Sequence, residues 1–104
     1  MNRSEQAHPG EIVSDRRYSL TELCEICRLE STFVVDMIDY DVITPVTPAG
    51  ELFNHTQLTR VMKAWRLQRD LDLNSPGIAL AMQLLEQIEV QERELKLLRQ
   101  QTGI

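Results

Sequence analysis

Residues 19–40 of the chain, SLTELCEICRLESTFVVDMIDY, decide the fold. Ser19 followed three residues later by Glu22 is typical of a capping box, in which the hydroxyl and the carboxylate bind free backbone N–H groups at a helix start. Apolar side chains then recur on one helix face, at Leu20, Leu23, Cys24 and Cys27. The pattern predicts a first helix over Leu20–Cys27.

A second helix is predicted after a tight connection at residues 28–30. Ser31 is a favourable N-cap residue, and we expect the helix to run from there through Tyr40. The side chains expected on its buried face are Val34, Met37 and Ile38. Two short helices joined by about three residues form a helix-turn-helix.

A small wing is predicted next. The segment 42–53 cannot be helical, because Pro45 and Pro48 each remove a backbone donor. Its two ends, 42–44 and 51–53, can form short extended pieces around the turn between them.

The third helix is predicted to begin after Asn54, since Asn54 and Gln57 repeat the arrangement of a cap and its third residue, and to end near residues 70–73. Its apolar stripe, which includes a tryptophan expected in the core, is Leu58, Val61, Met62 and Trp65. Its cations are Arg60, Lys63, Arg66 and Arg69. They can form a solvated face, bind an acidic partner, or pair with Asp70, Glu86 and Glu89.

The last helix is predicted to begin at Asn74-Ser75-Pro76, because a cap residue is followed there by a proline, which is well tolerated at the first helical position. Three apolar residues are expected to pack it on the core: Ile78, Leu80 and Leu85. A second series follows the a/d rhythm of a coiled coil, at Ala81, Leu84, Ile88, Gln91, Leu95 and Leu98. We expect these residues to form a modest homodimer interface. The alternative is a solitary exposed helix.

The expected fold class is therefore all-α with a small wing. A chain of 104 residues is one domain, here a helix-turn-helix unit over 18–76 followed by a long coiled-coil helix over 77–104. The polar residues 1–17 are expected to form a flexible N-terminal arm.

Charge argues against nucleic acid as a direct partner. The chain has 11 Lys and Arg against 16 Asp and Glu, a net charge of −5. No Lys or Arg lies between Arg28 and Arg60, although a winged helix-turn-helix needs cations there to contact phosphates. The acidic residues in this interval are Glu30, Asp36, Asp39, Asp41 and Glu51. They would repel a phosphate backbone.

Several other classes of function are not expected. No apolar run approaches the roughly 20 residues that span a bilayer, and no export signal is visible, so we expect a cytoplasmic protein without membrane association. Cys24 and Cys27 have the spacing of a redox or zinc pair, but no sheet is expected that could carry a redox motif, and His8 and His55 are isolated. The thiols are therefore interpreted as core residues. We expect no metal, no cofactor and no enzymatic activity.

Two stretches resemble known families. LTELC at 20–24, with the helix-turn-helix and wing, looks like the opening of MerR-type winged domains. WRLQRDLDL at 65–73 and SPGIALAMQLLEQI at 75–88 resemble the CbpM family of chaperone modulators, and the likeness covers about 18–100. Members of that family bind the J domain of a DnaJ-like co-chaperone, CbpA, and restrain it.

The resemblance implies a non-enzymatic modulator that inhibits the co-chaperone by covering its Hsp70-facing surface. Since J domains carry a positively charged second helix, we interpret the acidic face as the partner-binding site, with two exposed aromatic anchors. Its candidate residues are Glu30, Phe33, Asp36, Asp39, Tyr40 and Asp41. The alternatives are a MerR-type transcription regulator that binds DNA, a dimeric scaffold with another partner, or aspartates that are merely solvated.

Overall fold

The computed structural model describes residues 15–102; most of the predicted N-terminal arm, with His8, and the last two residues lie outside the described residues. Within that range the chain forms helices and no strand. The helices are α1 (Leu20–Cys27), α2 (Ser31–Asp39), α3 (His55–Leu71) and α4 (Ser75–Thr102). The predicted all-α class and the order of its helices are confirmed.

Side-chain caps define three of the helix starts. The Ser19 hydroxyl accepts from the Glu22 N–H (3.1 Å) while the Glu22 carboxylate accepts from the Ser19 N–H (2.8 Å), so the predicted capping box is confirmed. Asn54 accepts from the Gln57 N–H (3.1 Å), and Asn74 caps α4 in the same way (2.9 Å). Each cap binds a backbone donor that the first turn of a helix cannot satisfy internally.

The start of α2 differs from the prediction. Glu30, not Ser31, is the N-cap, and its carbonyl accepts from the N–H groups of Phe33 (3.1 Å) and Val34 (3.3 Å). The shift occurs because Arg28 adopts a left-handed conformation (φ 57°) that ends α1 and turns the chain early. The Glu30 side chain makes no capping bond, so its carboxylate remains in solvent.

The predicted wing is not confirmed. One backbone hydrogen bond, from the Val46 N–H to the Leu52 carbonyl (2.8 Å), links the two sides of the segment, because the N–H groups of residues 42–44 bind elsewhere, to the Met37 carbonyl and the Gln57 side chain. Phe53 pairs instead with Tyr18, through two 2.8 Å hydrogen bonds that form an isolated antiparallel bridge. The segment is a loop that is hydrogen-bonded to Tyr18, the residue before the N-cap of α1.

One apolar core joins the four helices. Its largest fully buried side chains are Leu23, Val34, Met37, Ile43, Val61 and Ile78. From α4 only Ile78 and Met82 are buried, and Leu85 is half-buried. The predicted packing of Leu80 is wrong: it is exposed, because two residues on from Ile78 a helix has turned by about 200°.

The far half of α4 extends beyond this core. The helix has 28 residues, about 42 Å at 1.5 Å per residue, and every residue from Gln87 to Gln101 is exposed. Two ion pairs bind the middle of α4 to α3, Arg60 with Glu86 and Lys63 with Glu89.

Candidate partner-binding surface

Four exposed carboxylates surround α2, and we call them the acidic surface: Glu30, Asp36, Asp39 and Asp41. Glu30 precedes the helix, Asp36 and Asp39 lie three residues apart on it, and Asp41 follows it in a left-handed conformation (φ 58°). Within residues 15–102 none of the four forms an ion pair or a side-chain hydrogen bond. Their negative charge therefore faces solvent without an internal counterion.

Exposed apolar side chains accompany these carboxylates. Tyr40, the C-cap of α2, is 46% exposed, and Val35 is 40% exposed. Val35 lies four residues before Asp39 and Tyr40 four after Asp36, so each borders a carboxylate on the helix surface. The expected exposure of Tyr40 is confirmed. Val35 is an apolar neighbour that the sequence analysis did not consider.

The exposure predicted for Phe33 and the burial predicted for Trp65 are both wrong. Phe33, expected to be an exposed anchor, is only 9% exposed, whereas Trp65, expected in the core, is 38% exposed. The two rings meet edge to face, with centroids 5.5 Å apart and planes at 78°. The reason lies in α3: Val61 and Ala64 are fully buried in the core, so the indole of Trp65, the residue after Ala64, lies at the border of the buried face and against Phe33.

A groove of about 460 Å³ runs past this aromatic pair. We call it the aromatic groove, and its lining residues are Arg28, Leu29, Glu30, Thr32, Phe33, Asp36, Trp65 and Gln68. It joins the α1–α2 turn, α2 and α3, and two carboxylates of the acidic surface line it. Sequence reasoning missed Trp65, Gln68 and Arg28 as parts of this region. The available signal was Ala64, which continues the spacing of Leu58 and Val61 and moves the centre of the buried face away from Trp65.

Three of the four cations of α3 form ion pairs with acidic residues of the chain itself. Arg60 pairs with Glu86 and also donates to the Val42 carbonyl (2.7 Å). Lys63 lies 3.6 Å from Glu89. Arg69 donates to Asp70 (2.8 Å), and this hydrogen bond lowers the pKa of Asp70. Of the three alternatives for this cluster, the structure shows pairing with Asp70, Glu86 and Glu89 for these three cations, so their charge is largely compensated.

The two cysteines pack against the core rather than forming a site. Both are free thiols and half-buried, and burial raises the pKa of Cys24 and of Cys27. No three His, Cys, Asp or Glu side chains of residues 15–102 are grouped so that they could hold a metal ion. A search of the same residues finds no helix with the length and apolarity needed to cross a membrane.

The a/d series of α4 lies mostly on the surface. Leu84, Ile88, Leu95 and Leu98 are each about half exposed, Gln91 is exposed and Ala81 is half-buried. Ala81 is protected because it lies beside Met82 in the part of α4 that packs on the core. The series therefore presents apolar side chains to solvent from Leu84 onwards, as the sequence analysis expected.

A helix-turn-helix followed by α3 and α4 is the order of elements in MerR-type helix-turn-helix proteins. The family model described as "MerR HTH family regulatory protein" matches residues 18–100. Chaperone modulatory protein CbpM of Coxiella burnetii (strain Dugway 5J108-111) is 33% identical over 81 residues, which are 76% of each chain. The protein of the same name from Pseudomonas putida (strain W619) is 28% identical over 83 residues, 78% of this chain and 82% of its own.

The chain belongs to the CbpM family of MerR-type helix-turn-helix proteins. The match at residues 18–100 includes α1, α2, α3, all but the last two residues of α4, the acidic surface and the aromatic groove.

Proposed function

We propose that the protein binds the J domain of a DnaJ-like co-chaperone through the acidic surface and thereby inhibits the co-chaperone. One observation carries this proposal: four exposed carboxylates around α2 have no counterion among the described residues. A positively charged helix, such as the second helix of a J domain, is the complementary partner. The name of the relatives, chaperone modulatory protein, supports the same function.

The proposed mechanism is occlusion. A J domain whose basic helix is covered cannot dock on Hsp70, and it then fails to stimulate ATP hydrolysis by the chaperone. The modulator needs no chemistry of its own for this, so we propose a non-enzymatic protein that acts in the cytoplasm alongside the chaperone.

The acidic surface argues against binding to DNA. In a winged helix-turn-helix the second helix and the wing contact phosphates. Here the second helix is α2, whose exposed carboxylates would repel the duplex instead of releasing counterions from it. The loop that replaces the wing carries no cation either.

We further propose that the chain dimerises through α4. The a/d series from Leu84 to Leu98 leaves apolar side chains in water, and a second copy of the same helix would bury them. Gln91 lies in the middle of the series and weakens it, so we expect a dimer that dissociates on dilution.

Calorimetric titration of a purified J domain tests the proposed function. Asp36→Lys combined with Asp39→Lys changes the net charge by four units and replaces attraction by repulsion, so we expect at least about tenfold weaker binding. The wild-type affinity should also fall with added salt, and this dependence should be reduced in the double variant.

The matched control is Glu25→Lys combined with Asp72→Lys. It makes the same change in net charge at two exposed positions outside the acidic surface, and we expect nearly wild-type affinity. Equal loss in both double variants would mean that only overall charge matters. Absence of J-domain binding by the wild type, together with retention on DNA at low salt, would favour a transcription regulator.

A further inference from the structure

The aromatic groove combines aromatic side chains with carboxylates. Attraction between the acidic surface and a basic helix does not by itself need the aromatic side chains. Trp65 is partly exposed, and its contact with Phe33 is edge to face. An edge-to-face pair leaves at least one face of the indole uncovered by the other ring, and Trp65 lines the groove. The electron-rich face of an indole attracts cations.

The polar lining of the groove also suits a cation. Glu30 and Asp36 contribute carboxylates without an internal counterion, and Thr32 and Gln68 contribute oxygens that can accept hydrogen bonds. Arg28 is the one opposing charge in the lining. The groove therefore combines a net negative rim with an aromatic wall, and a volume of about 460 Å³ admits a long side chain.

We propose that the aromatic groove receives one arginine or lysine side chain from the basic helix of the partner, with the cation against Trp65 and between Glu30 and Asp36. This inference rests on the proposed function and refines it. The acidic surface attracts the basic helix as a whole, whereas the groove fixes its position by binding one particular side chain. The ring of Phe33 holds the indole in place from below the surface.

Calorimetry with the J domain tests the role of the indole. Trp65→Leu keeps an apolar side chain but removes the π face, and we expect the affinity to fall about five- to thirtyfold. Trp65→Phe retains an aromatic face and should lose less. Because a cation–π contact is short-ranged, Trp65→Leu should leave the salt dependence of binding almost unchanged, whereas Asp36→Asn should reduce it.

A substitution at the rim of the aromatic groove is expected to strengthen binding of the J domain, whereas Trp65→Leu weakens it. Arg28→Gln removes the cation that would repel the incoming side chain, so we expect tighter binding. Weaker binding would mean that the groove receives an acidic group, and it would overturn the proposal. The control Leu71→Ala removes an exposed apolar side chain from α3 outside the groove and should change nothing.

A measurement on the unmutated fold guards against variants that unfold. Trp65 is the only tryptophan, so 5-fluorotryptophan incorporated into the full chain gives a single fluorine NMR resonance. We expect it to shift on addition of the unlabelled J domain. A J domain that binds without moving this resonance, and that binds Trp65→Leu with wild-type affinity, overturns the groove proposal alone. A J domain that does not bind the wild type overturns the proposed function and the groove proposal together.

Discussion

At the scale of single residues, three of the four helix starts were predictable, whereas the exposure of Phe33 and Trp65 was not. Ser19, Asn54 and Asn74 cap their helices through side-chain oxygens whose partners are only three residues away, so the sequence alone specifies the bonds. The exposure of Phe33 and Trp65 depends on how α2 and α3 pack against each other, which helical periodicity does not determine.

Two serines with different roles test this residue-level description. Ser19→Ala removes the hydroxyl that accepts from the Glu22 N–H, one of the two hydrogen bonds of the capping box, and should lower the free energy of unfolding by about 1 kcal/mol. Ser31→Ala changes an exposed residue that follows the true N-cap Glu30, so we expect a loss close to zero. Urea denaturation followed by circular dichroism measures both. A larger loss for Ser31→Ala would mean that Ser31 caps α2.

At the scale of elements, α1, α3 and α4 were predicted closely because each begins with a strong local signal. The predicted wing is absent for a physical reason: the N–H groups of residues 42–44 bind the Met37 carbonyl and the Gln57 side chain, and Phe53 pairs with Tyr18, so the two predicted strands do not bond to each other. The interval without cations around α2 was readable from the sequence, whereas the groove between the α1–α2 turn and α3 was not, because its residues are distant in sequence.

The dimer proposed for α4 is tested by changing one position inside the a/d series and one outside it. Ile88→Glu places a charge in the series, and we expect the dimer dissociation constant to rise at least about tenfold. Val90→Glu adds the same charge at an exposed position outside the series and should have little effect. Gln91→Leu should tighten the dimer.

Sedimentation velocity over a range of concentrations measures these dissociation constants. A wild-type chain that remains monomeric at the highest concentration would contradict the dimer. Equal weakening by Ile88→Glu and Val90→Glu would mean that a different face of α4 forms the interface.

At the scale of the whole molecule, the distribution of charge matters more than its sum. The net charge of −5 is compatible with many functions. On α3, three cations are paired with acids of α3 and α4, while the carboxylates around α2 have no counterion in the described range. The protein thus presents an uncompensated negative face, and that face occupies the position at which a MerR-type fold would meet DNA.

The central claim is that this face blocks access of the J domain to Hsp70. The most direct test is the rate of ATP hydrolysis by Hsp70 stimulated by the co-chaperone, measured while this protein is added. The account predicts that the wild type returns the rate to the unstimulated level, whereas Asp36→Lys combined with Asp39→Lys requires at least about tenfold more protein. Undiminished stimulation in the presence of saturating wild type, or equal inhibition by the double variant, would contradict it.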